Sequence, residues 1–221
     1  MSTDAAMTTA PSAPGTSRTR ALFRRATRME SRVYASIGRA IARRPAVPRG
    51  ARAFTYHRPV LTILVIFIVL SAVEIPIIDL IVHRWPVVRV ILLIVGVWGL
   101  TWMIGFLCAF FMYPHTVGPR GIQVREGLET DVALSWDDIV SVARSRRVDE
   151  PKTPRVTDAG GTSTLSVRMQ NETNVEIELE RSVGVTLPGR PPRGGAHEVA
   201  RVRLWVDDLD GFMAAVREHM P

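Results

Sequence analysis

Two long apolar runs dominate the hydrophobic pattern of this chain. The first covers residues 59–82 and the second 87–113, and a short break, His83-Arg84-Trp85-Pro86, separates them. A helix needs ~20 mostly apolar residues to cross a bilayer, so each run is long enough. Because the break is short, the two helices must be antiparallel neighbours. The pattern predicts a transmembrane helical hairpin; the alternative, a buried hairpin of a soluble protein, fits runs of this length poorly.

Beyond Pro114 the apolar positions alternate with polar ones, a period that predicts strands. When the buried faces of the predicted strands 164–170 and 174–180 are matched, Arg168 lies opposite Glu176 or Glu178, which predicts a cross-strand pair. A C-terminal amphipathic helix is predicted over 208–219, with Asp207 as its N-cap. The loops are expected at 149–161 and 188–195. The seven predicted strands cover 115–118, 122–126, 131–135, 139–148, 164–170, 174–180 and 198–206.

The segment before the hairpin is an Arg-rich arm. Residues 1–19 are rich in Ser, Thr, Ala and Pro, which predicts a disordered tail, and 20–58 form a basic amphipathic helix followed by a linker. A basic helix beside a membrane span is typical of one that lies on an anionic leaflet. An unstructured topogenic tail and a helix packed on the C-terminal domain stay open as alternatives. The predicted membrane-surface residues are Arg24, Arg25, Arg28, Arg32, Arg39 and Arg43.

The positive charge of the chain belongs to this arm. The formal charge is +7, yet residues 1–59 hold twelve Arg against Asp4 and Glu30, and 114–221 are mildly acidic. The arm has few aromatic residues to stack on bases, so we expect no nucleic-acid partner. The positive-inside rule places the arm in the cytoplasm, and two crossings return the C-terminal domain there. Abundant Arg with almost no Lys is typical of a high-GC bacterial coding bias, so we expect the membrane to be a bacterial inner membrane; a mitochondrial presequence is the competing interpretation.

One carboxylate interrupts the first apolar run near its middle. Glu74 lies about 6 Å from the centre of that run, at a depth where an ionised side chain costs a few kcal/mol unless it faces protein. When the hairpin folds about its break, Glu74 lies opposite 96–101. Gly96 and Gly99 permit close approach there, and Thr101 can form a hydrogen bond.

A second acid, Asp79, lies near the outer interface. His83, Arg84 and Arg89 are close enough to pair with it. The acids admit two interpretations. Glu74 and Asp79 belong either to a polar clamp that fixes helix register or partner contact, or to a proton or ion relay. Replacement of Glu74 by Gln separates the two.

The rest of the sequence offers little chemistry. Cys108 is the single cysteine, so no intrachain disulfide is possible, and the five His are scattered along the chain. Zinc-type spacings, a phosphate loop, a dinucleotide fingerprint and a nucleophile elbow are all lacking from the sequence. We therefore expect no enzyme, no cofactor and no metal.

Three short segments carry a resemblance. Gly121-Ile-Gln-Val-Arg-Glu-Gly127, Leu134-Ser-Trp-Asp-Asp-Ile-Val140 and Val206-Asp-Asp-Leu-Asp-Gly-Phe-Met213 resemble the bacterial PH-like (pleckstrin-homology-like) domain, which often follows two membrane helices. The resemblance implies a bent seven-stranded sheet over 114–221 capped by the C-terminal helix, with Trp136 and Ile139 in the core. It also implies a binding or assembly module. Family members that bind phosphoinositides use a basic first-hairpin loop, whereas here that loop has Arg120 and nearby Arg125 only.

Together these features predict a membrane-anchored scaffold or interaction protein. We expect anionic lipids of the inner leaflet and a protein partner, or a second copy of the chain, to bind it. The alternative is an accessory subunit of a transport or proton-coupled complex that uses Glu74. The arginines that could form a ligand or partner patch, unless they belong to a solvated strand face, are Arg120, Arg125, Arg144, Arg146 and Arg147.

Overall fold

The computed structural model describes residues 14–150, 155–159, 161–189, 191 and 194–220. The helices are α1 (Pro14–Ile41), α2 (Arg58–Ile81), α3 (Pro86–Met112) and α4 (Leu209–Arg217). The strands are β1 (Arg52–Phe54), β2 (His115–Gly118), β3 (Gly121–Glu126), β4 (Thr130–Ser135), β5 (Ile139–Arg147), β6 (Arg155–Ala159), β7 (Thr162–Val167), β8 (Thr173–Leu187) and β9 (Gly195–Leu204).

The predicted helical hairpin is present as α2 and α3. Both helices are long and apolar enough to cross a membrane, with mean hydropathies of 2.7 and 2.3 over their most apolar windows. No residue of α2 is buried within the protein, which is typical of a helix whose solvent is lipid rather than a core helix of a soluble domain. These observations indicate a two-pass membrane protein with a β domain attached to one end of the hairpin.

The β domain contains two sheets, where the resemblance implied one bent sheet of seven strands. One sheet has the order β1-β2-β3-β4 and the other β5-β8-β9-β7-β6. The two additional strands lie where no strand was expected. β1 belongs to the linker and β6 to the predicted loop 149–161. Each carries only one strong apolar residue into the core, Phe54 and Val156, so their alternation is too short to be recognised in the sequence.

The order of the second sheet overturns the predicted pairing of Arg168. β7 and β8 do not form a hairpin, because β9 lies between them, parallel to β7 and antiparallel to β8. Glu176 and Glu178 therefore face β9 and form ion pairs there with Arg203 and Arg201, at 2.7 and 2.8 Å.

Helix α4 covers the core that the two sheets share. Phe212 is fully buried, and its ring meets that of Phe54 edge to face at 5.2 Å between centroids. Ile139 is buried and Trp136 packs against the core, as the resemblance implied. The N-cap of α4 is Asp208 rather than Asp207, since the Asp208 carboxylate accepts a hydrogen bond from the Gly211 N–H.

Helix α1 begins earlier than predicted, at Pro14 instead of residue 20. The part of the predicted disordered tail that covers 1–13 lies outside the described residues. Near its C-terminal end α1 packs on α3, where Val33 is fully buried against Gly105 and Ala109. The closest approach is at Gly105, because a Cβ atom added there would lie 2.3 Å from Val33 Cγ1. This contact fixes the arm to the hairpin.

Candidate functional site

The β domain is joined to the hairpin through a buried aromatic cluster. We call the segments 56–64 and 103–113 the hairpin base. Tyr56, immediately before α2, is 1% exposed and meets Phe110 of α3 edge to face at 5.7 Å between centroids. Its hydroxyl accepts a hydrogen bond from the Gly127 N–H, 2.9 Å away, in the β3–β4 turn. Tyr56 has the sequence position of an interfacial aromatic residue, at the edge of an apolar run, but it lies inside the joint between the two parts.

His115 lies beside Tyr56 and completes the joint. Its ring is fully buried, 4.6 Å from the Tyr56 ring between centroids. Nδ1 accepts a hydrogen bond from the Arg125 N–H at 3.0 Å, so Nε2 carries the proton and donates to the Trp205 carbonyl at 3.1 Å. Burial lowers the pKa of His115 to about 4. The imidazole is therefore neutral near pH 7 and ties β2, β3 and the segment after β9 together.

Glu126 is a largely buried acid of the joint. Burial raises the pKa of its carboxyl to about 7, although the positive charge of Arg168 opposes that shift. Its Oε2 atom is buried without a hydrogen-bond partner in the described structure. An ionised carboxylate in this position is poorly solvated, which favours the protonated form of Glu126.

Two turns of the β domain hold the hairpin base from opposite sides. On the α2 side, the Gln170 side chain donates to the Pro59 carbonyl at 2.6 Å, and Met169 packs in a cluster with Val60 and Leu64. On the α3 side, Leu128 packs against Val33 and Ala109. The domain therefore contacts the hairpin at several points and is not attached through a single linker alone.

A cleft between α2 and α3 contains the intramembrane acid. Glu74 lines a cavity of about 450 Å³, together with Ser71, Gly96 and Gly99. Gly96 permits the predicted close approach, because an added Cβ would lie 3.0 Å from Ile75 Cγ1. Thr101 is not part of the lining, since its hydroxyl donates to the Val97 carbonyl of its own helix at 2.8 Å. The structure thus brings Glu74 to both predicted glycines but not to Thr101.

Asp79 forms an ion pair with Arg89 at the turn end of the same cleft. Arg89 Nε and NH2 donate to the two carboxylate oxygens at 2.5 and 2.8 Å. This fork geometry is the strongest that Arg and a carboxylate adopt. His83 does not contribute to it through Nδ1, which is bonded to the Leu80 carbonyl. Asp79 is thereby paired across the hairpin, whereas Glu74 lies in the open cleft.

The structure describes the side chains of only some predicted membrane-surface arginines. The side chains of Arg24, Arg25 and Arg28 are not among those described. Arg32 donates to the Leu128 carbonyl, and the Arg39 guanidinium lies 5.8 Å from the Tyr113 ring centroid. Arg43 follows α1 with a positive φ of 50°. Part of the basic face is therefore used within the protein, where it attaches α1 to the domain and to α3.

The arginines proposed as one ligand patch do not come together. Arg125 is buried, pairs with Asp131 at 3.3 Å and donates to the Ala46 carbonyl, so it fixes the linker and cannot join a surface patch. Along β5, Arg144 pairs with Asp210 and Arg146 with Glu172. Arg147 is exposed at the end of that strand. The predicted patch is thus divided between two parts of the domain.

Arg120 lies at a separate cavity by the β2–β3 turn. The cavity has a volume of about 410 Å³, and its polar lining includes Arg49, Thr116, Gln123 and Asp138. The linker before β1 therefore supplies a second guanidinium to the rim of the first hairpin. Neither the sequence pattern nor the resemblance predicted this contribution, because it depends on the linker joining the sheet.

The residues of the joint were also missed in the sequence. Tyr56, His115 and Glu126 lie in three separate segments, and the Tyr56 position at the edge of an apolar run has the same signature as an interfacial aromatic residue. Glu126 ends a strand before a Gly turn, where an acid is ordinarily solvated. Within the described residues, no group of three or more His, Cys, Asp or Glu could hold a metal ion.

Comparisons with family models, with curated proteins and with solved structures give no match. The class of the protein therefore rests on its own geometry: two candidate membrane spans in a hairpin, and a two-sheet β domain fixed to the hairpin base.

Proposed function

We propose that this protein is a non-enzymatic scaffold of a bacterial inner membrane, which presents a divergent PH-like domain at the cytoplasmic face. The observation that carries the proposal is the joint at the hairpin base. Tyr56 and Gln170 fix the domain to the hairpin through hydrogen bonds with Gly127 and Pro59, and the His115 ring packs on that of Tyr56. A domain held at several points keeps one constant surface toward the cytoplasm, which suits a binding module better than a flexible tether does.

The PH-like assignment rests on the sequence segments and on the helix that covers the core. Helix α4 packs its apolar face on the sheets at the C-terminal end of the domain, as members of the family do. The parallel β7–β9 pair and the strand from the linker depart from the family pattern. We take the domain to be a binding module of this general kind, with partner contacts around the cavity at Arg49 and Arg120.

The orientation follows from the arginines of the arm, and labelling of single cysteines in intact cells tests it. In a Cys108→Ala background, Arg84→Cys at the hairpin turn is expected to react with a membrane-impermeant maleimide from outside. Ala214→Cys, at an exposed position of α4, is expected to react only after the cells are permeabilised. Labelling of Ala214→Cys in intact cells would reverse the topology and remove the cytoplasmic role.

The binding role is tested by purification of the full chain in mild detergent. We expect a defined set of proteins or anionic lipids to co-purify. Arg49→Glu with Arg120→Glu is expected to lose them, because both substitutions invert the charge at one cavity. Arg217→Glu, at an exposed position of α4, is the matched control. Equal capture by the wild-type protein, the double variant and the Arg217→Glu control would show that this cavity is not the binding surface.

A second candidate function is an accessory subunit of a transport or proton-coupled complex. The observation that favours it is the position of Glu74 in the cleft between the helices. In that case Glu74→Gln, which keeps the size of the side chain and removes its titration, abolishes proton-dependent activity in vesicles while the protein still folds. Unchanged proton permeability in Glu74→Gln vesicles leaves the scaffold as the supported function.

A further inference from the structure

The cavity by the β2–β3 turn lies on the outer face of the first sheet. The strand register places Thr116, Gln123 and Ala133 side by side on that face, one from each of β2, β3 and β4. The linker closes one side of the cavity, because a Cβ atom added at Gly118 would lie 2.8 Å from Ala51 Cβ. The cavity is therefore a recess between the linker and the sheet, with a volume of about 410 Å³.

Two guanidinium groups at this recess have no partner among the described residues. Arg49 comes from the linker and Arg120 from the β2–β3 turn, and both residues are exposed. Neither forms an ion pair or a hydrogen bond with any residue that the structure describes. Asp138, an acid of the same lining, already pairs with Arg181 at 2.5 Å. The recess thus carries positive charge that the described part of the protein does not neutralise.

A threonine in the floor of the recess provides an independent observation. Thr116 is 2% exposed and lines the recess, yet its hydroxyl forms no hydrogen bond with the residues described. Hydroxyl groups in such enclosed positions ordinarily bond to protein. The partner available to this one is a molecule in the recess. The floor therefore offers a hydrogen-bond donor beside the two guanidinium groups.

The recess lies away from the lipid, at the far end of β3. Gly127, after the other end of that strand, lies beside Phe106 of α3, and the Arg125 N–H bonds to His115, just past the end of α3. The strand therefore leads away from the membrane. At ~3.3 Å per residue, Arg120 lies about 15 Å further along it than Arg125. The headgroup region adds only ~5–8 Å on each side of the hydrocarbon layer, so it does not reach this turn.

We infer that the recess binds an acidic segment of a water-soluble protein partner. A carboxylate between Arg49 and Arg120 can accept charge-assisted hydrogen bonds from both guanidinium groups. Arginine at the rim of a recess is also a frequent source of binding energy in protein interfaces. The charge of the site selects an anionic occupant, and its distance from the bilayer selects a protein over a lipid headgroup. The inference rests on the proposed function, because it names the kind of partner that the scaffold binds at this cavity.

Protection of a cysteine from modification tests the inference. The full chain is held in nanodiscs of zwitterionic lipid, and the probe is a short polyglutamate peptide. In a Cys108→Ala background, Ala133→Cys places a thiol at an exposed position of the recess. We expect the peptide to slow maleimide labelling of Ala133→Cys several-fold and to leave Ala214→Cys, on α4, unaffected. Peptide bound to the Arg-rich arm does not register in this measurement. Equal labelling rates of Ala133→Cys with and without peptide would overturn the inference.

Substitutions at the recess test which groups bind the peptide. Arg49→Gln with Arg120→Gln should abolish the protection. Arg147→Gln with Arg217→Gln removes the same charge from two exposed positions elsewhere in the domain and is the matched control, which should keep it. Thr116→Val should weaken peptide binding several-fold without lowering the midpoint of thermal unfolding, because the hydroxyl that it removes bonds to no described residue. Equal loss of protection in both Arg pairs would show a general effect of charge and contradict the site.

Other probes separate this inference from the proposed function. Protection of Ala133→Cys by anionic lipid in the nanodisc, without peptide, would assign the recess to a headgroup and overturn the inference. Protection by inorganic phosphate but not by the peptide would overturn it as well. Capture of proteins that depends on Arg49 and Arg120, without protection by the peptide, would overturn the acidic segment and leave the scaffold intact. Protection by the peptide with no such capture would contradict the proposed function instead.

Discussion

The Tyr56 hydroxyl accepts a hydrogen bond from the Gly127 N–H at 2.9 Å, and this single bond crosses from the segment before α2 to a turn of the β domain. The Tyr56 ring fills the space between Phe110 and His115. Burial raises the pKa of the phenol, so it remains protonated over the whole physiological range. The contact combines an apolar anchor with a polar one and makes the orientation of the domain specific.

We predict that Tyr56→Phe loosens this joint without unfolding either part. The ring packing is kept, while the Gly127 N–H loses its partner in a half-buried position, at a cost of about 1–2 kcal/mol. Thermal unfolding of the protein in detergent should show a lower midpoint. Tyr34→Phe, at an exposed position of α1, is the control and should leave the midpoint unchanged. Identical midpoints for both variants would mean that the bond contributes nothing to the joint.

A second prediction concerns the attachment of α1. Gly105→Ala places a methyl group 2.3 Å from Val33 Cγ1, so α1 must move away from α3. Trypsin should then cleave faster after Arg32 and Arg39. Gly38→Ala on α1 meets no atom within 4 Å and serves as the control, since it only raises helix propensity.

The double variant Gly105→Ala with Val33→Ala tests the cause of that effect. Removal of the Val33 methyl groups makes room for the new one, so protection from trypsin should partly return. Such recovery is the signature of two residues in direct contact. A double variant cleaved faster than Gly105→Ala would show that the contact is not the source of protection.

Much of the architecture could be predicted because it depends on long periodic segments. The two apolar runs and the alternating strands each extend over enough residues to outweigh local exceptions. β1 and β6 could not be recognised in the sequence, because each contributes only one apolar residue to the core. Each forms a strand by pairing with a neighbour, β1 with β2 and β6 with β7. The parallel position of β9 beside β7 is likewise set by the whole core and not by a local turn signal.

The joint shows a different limit. A buried tyrosine and an interfacial tyrosine have the same sequence context at the end of a membrane span, and only the domain packed on Tyr56 distinguishes them. In the same way, the sequence around Arg125 is typical of an exposed, charged strand. In the structure Arg125 is buried and donates to the Ala46 carbonyl of the linker. Glu74 lies at one cleft with Gly96 and Gly99 as predicted, because a short hairpin turn fixes which residues lie opposite each other, but only Gly96 makes the predicted close approach.

A third prediction follows from Glu126, whose pKa is raised to about 7 in the folded protein from an ordinary value of 4.5. Between these values the folded state binds more protons than the unfolded state, so this group makes stability fall as pH rises from about 4.5 to about 7. His115 acts in the opposite sense. The pKa of His115 is lowered to about 4 from 6.5, so between these two values its contribution to stability rises with pH. This rise partly masks the fall that Glu126 causes.

Glu126→Gln isolates the carboxyl. The variant should be close to wild type in stability at pH 4.5 and more stable at pH 8, by on the order of 1–2 kcal/mol once partial exposure is taken into account. Glu129→Gln, in the following turn, is the control. Thermal unfolding at a series of pH values measures the difference, and a difference that does not change with pH would contradict the raised pKa.

The last prediction concerns the ion pair between Asp79 and Arg89. Each partner lies near the turn end of the hairpin, and the two are joined by two hydrogen bonds of 2.5 and 2.8 Å. Loss of one partner leaves an isolated charge near the hydrocarbon layer, which is costlier than the loss of both. Asp79→Asn and Arg89→Gln should therefore each lower the resistance of the hairpin to unfolding in a denaturing detergent.

The double variant should recover most of that loss, because no unpaired charge remains. Arg84→Gln, in the turn but outside this bonded pair, is the matched control and should behave as wild type. Additive losses in the double variant would show that the pair is not coupled.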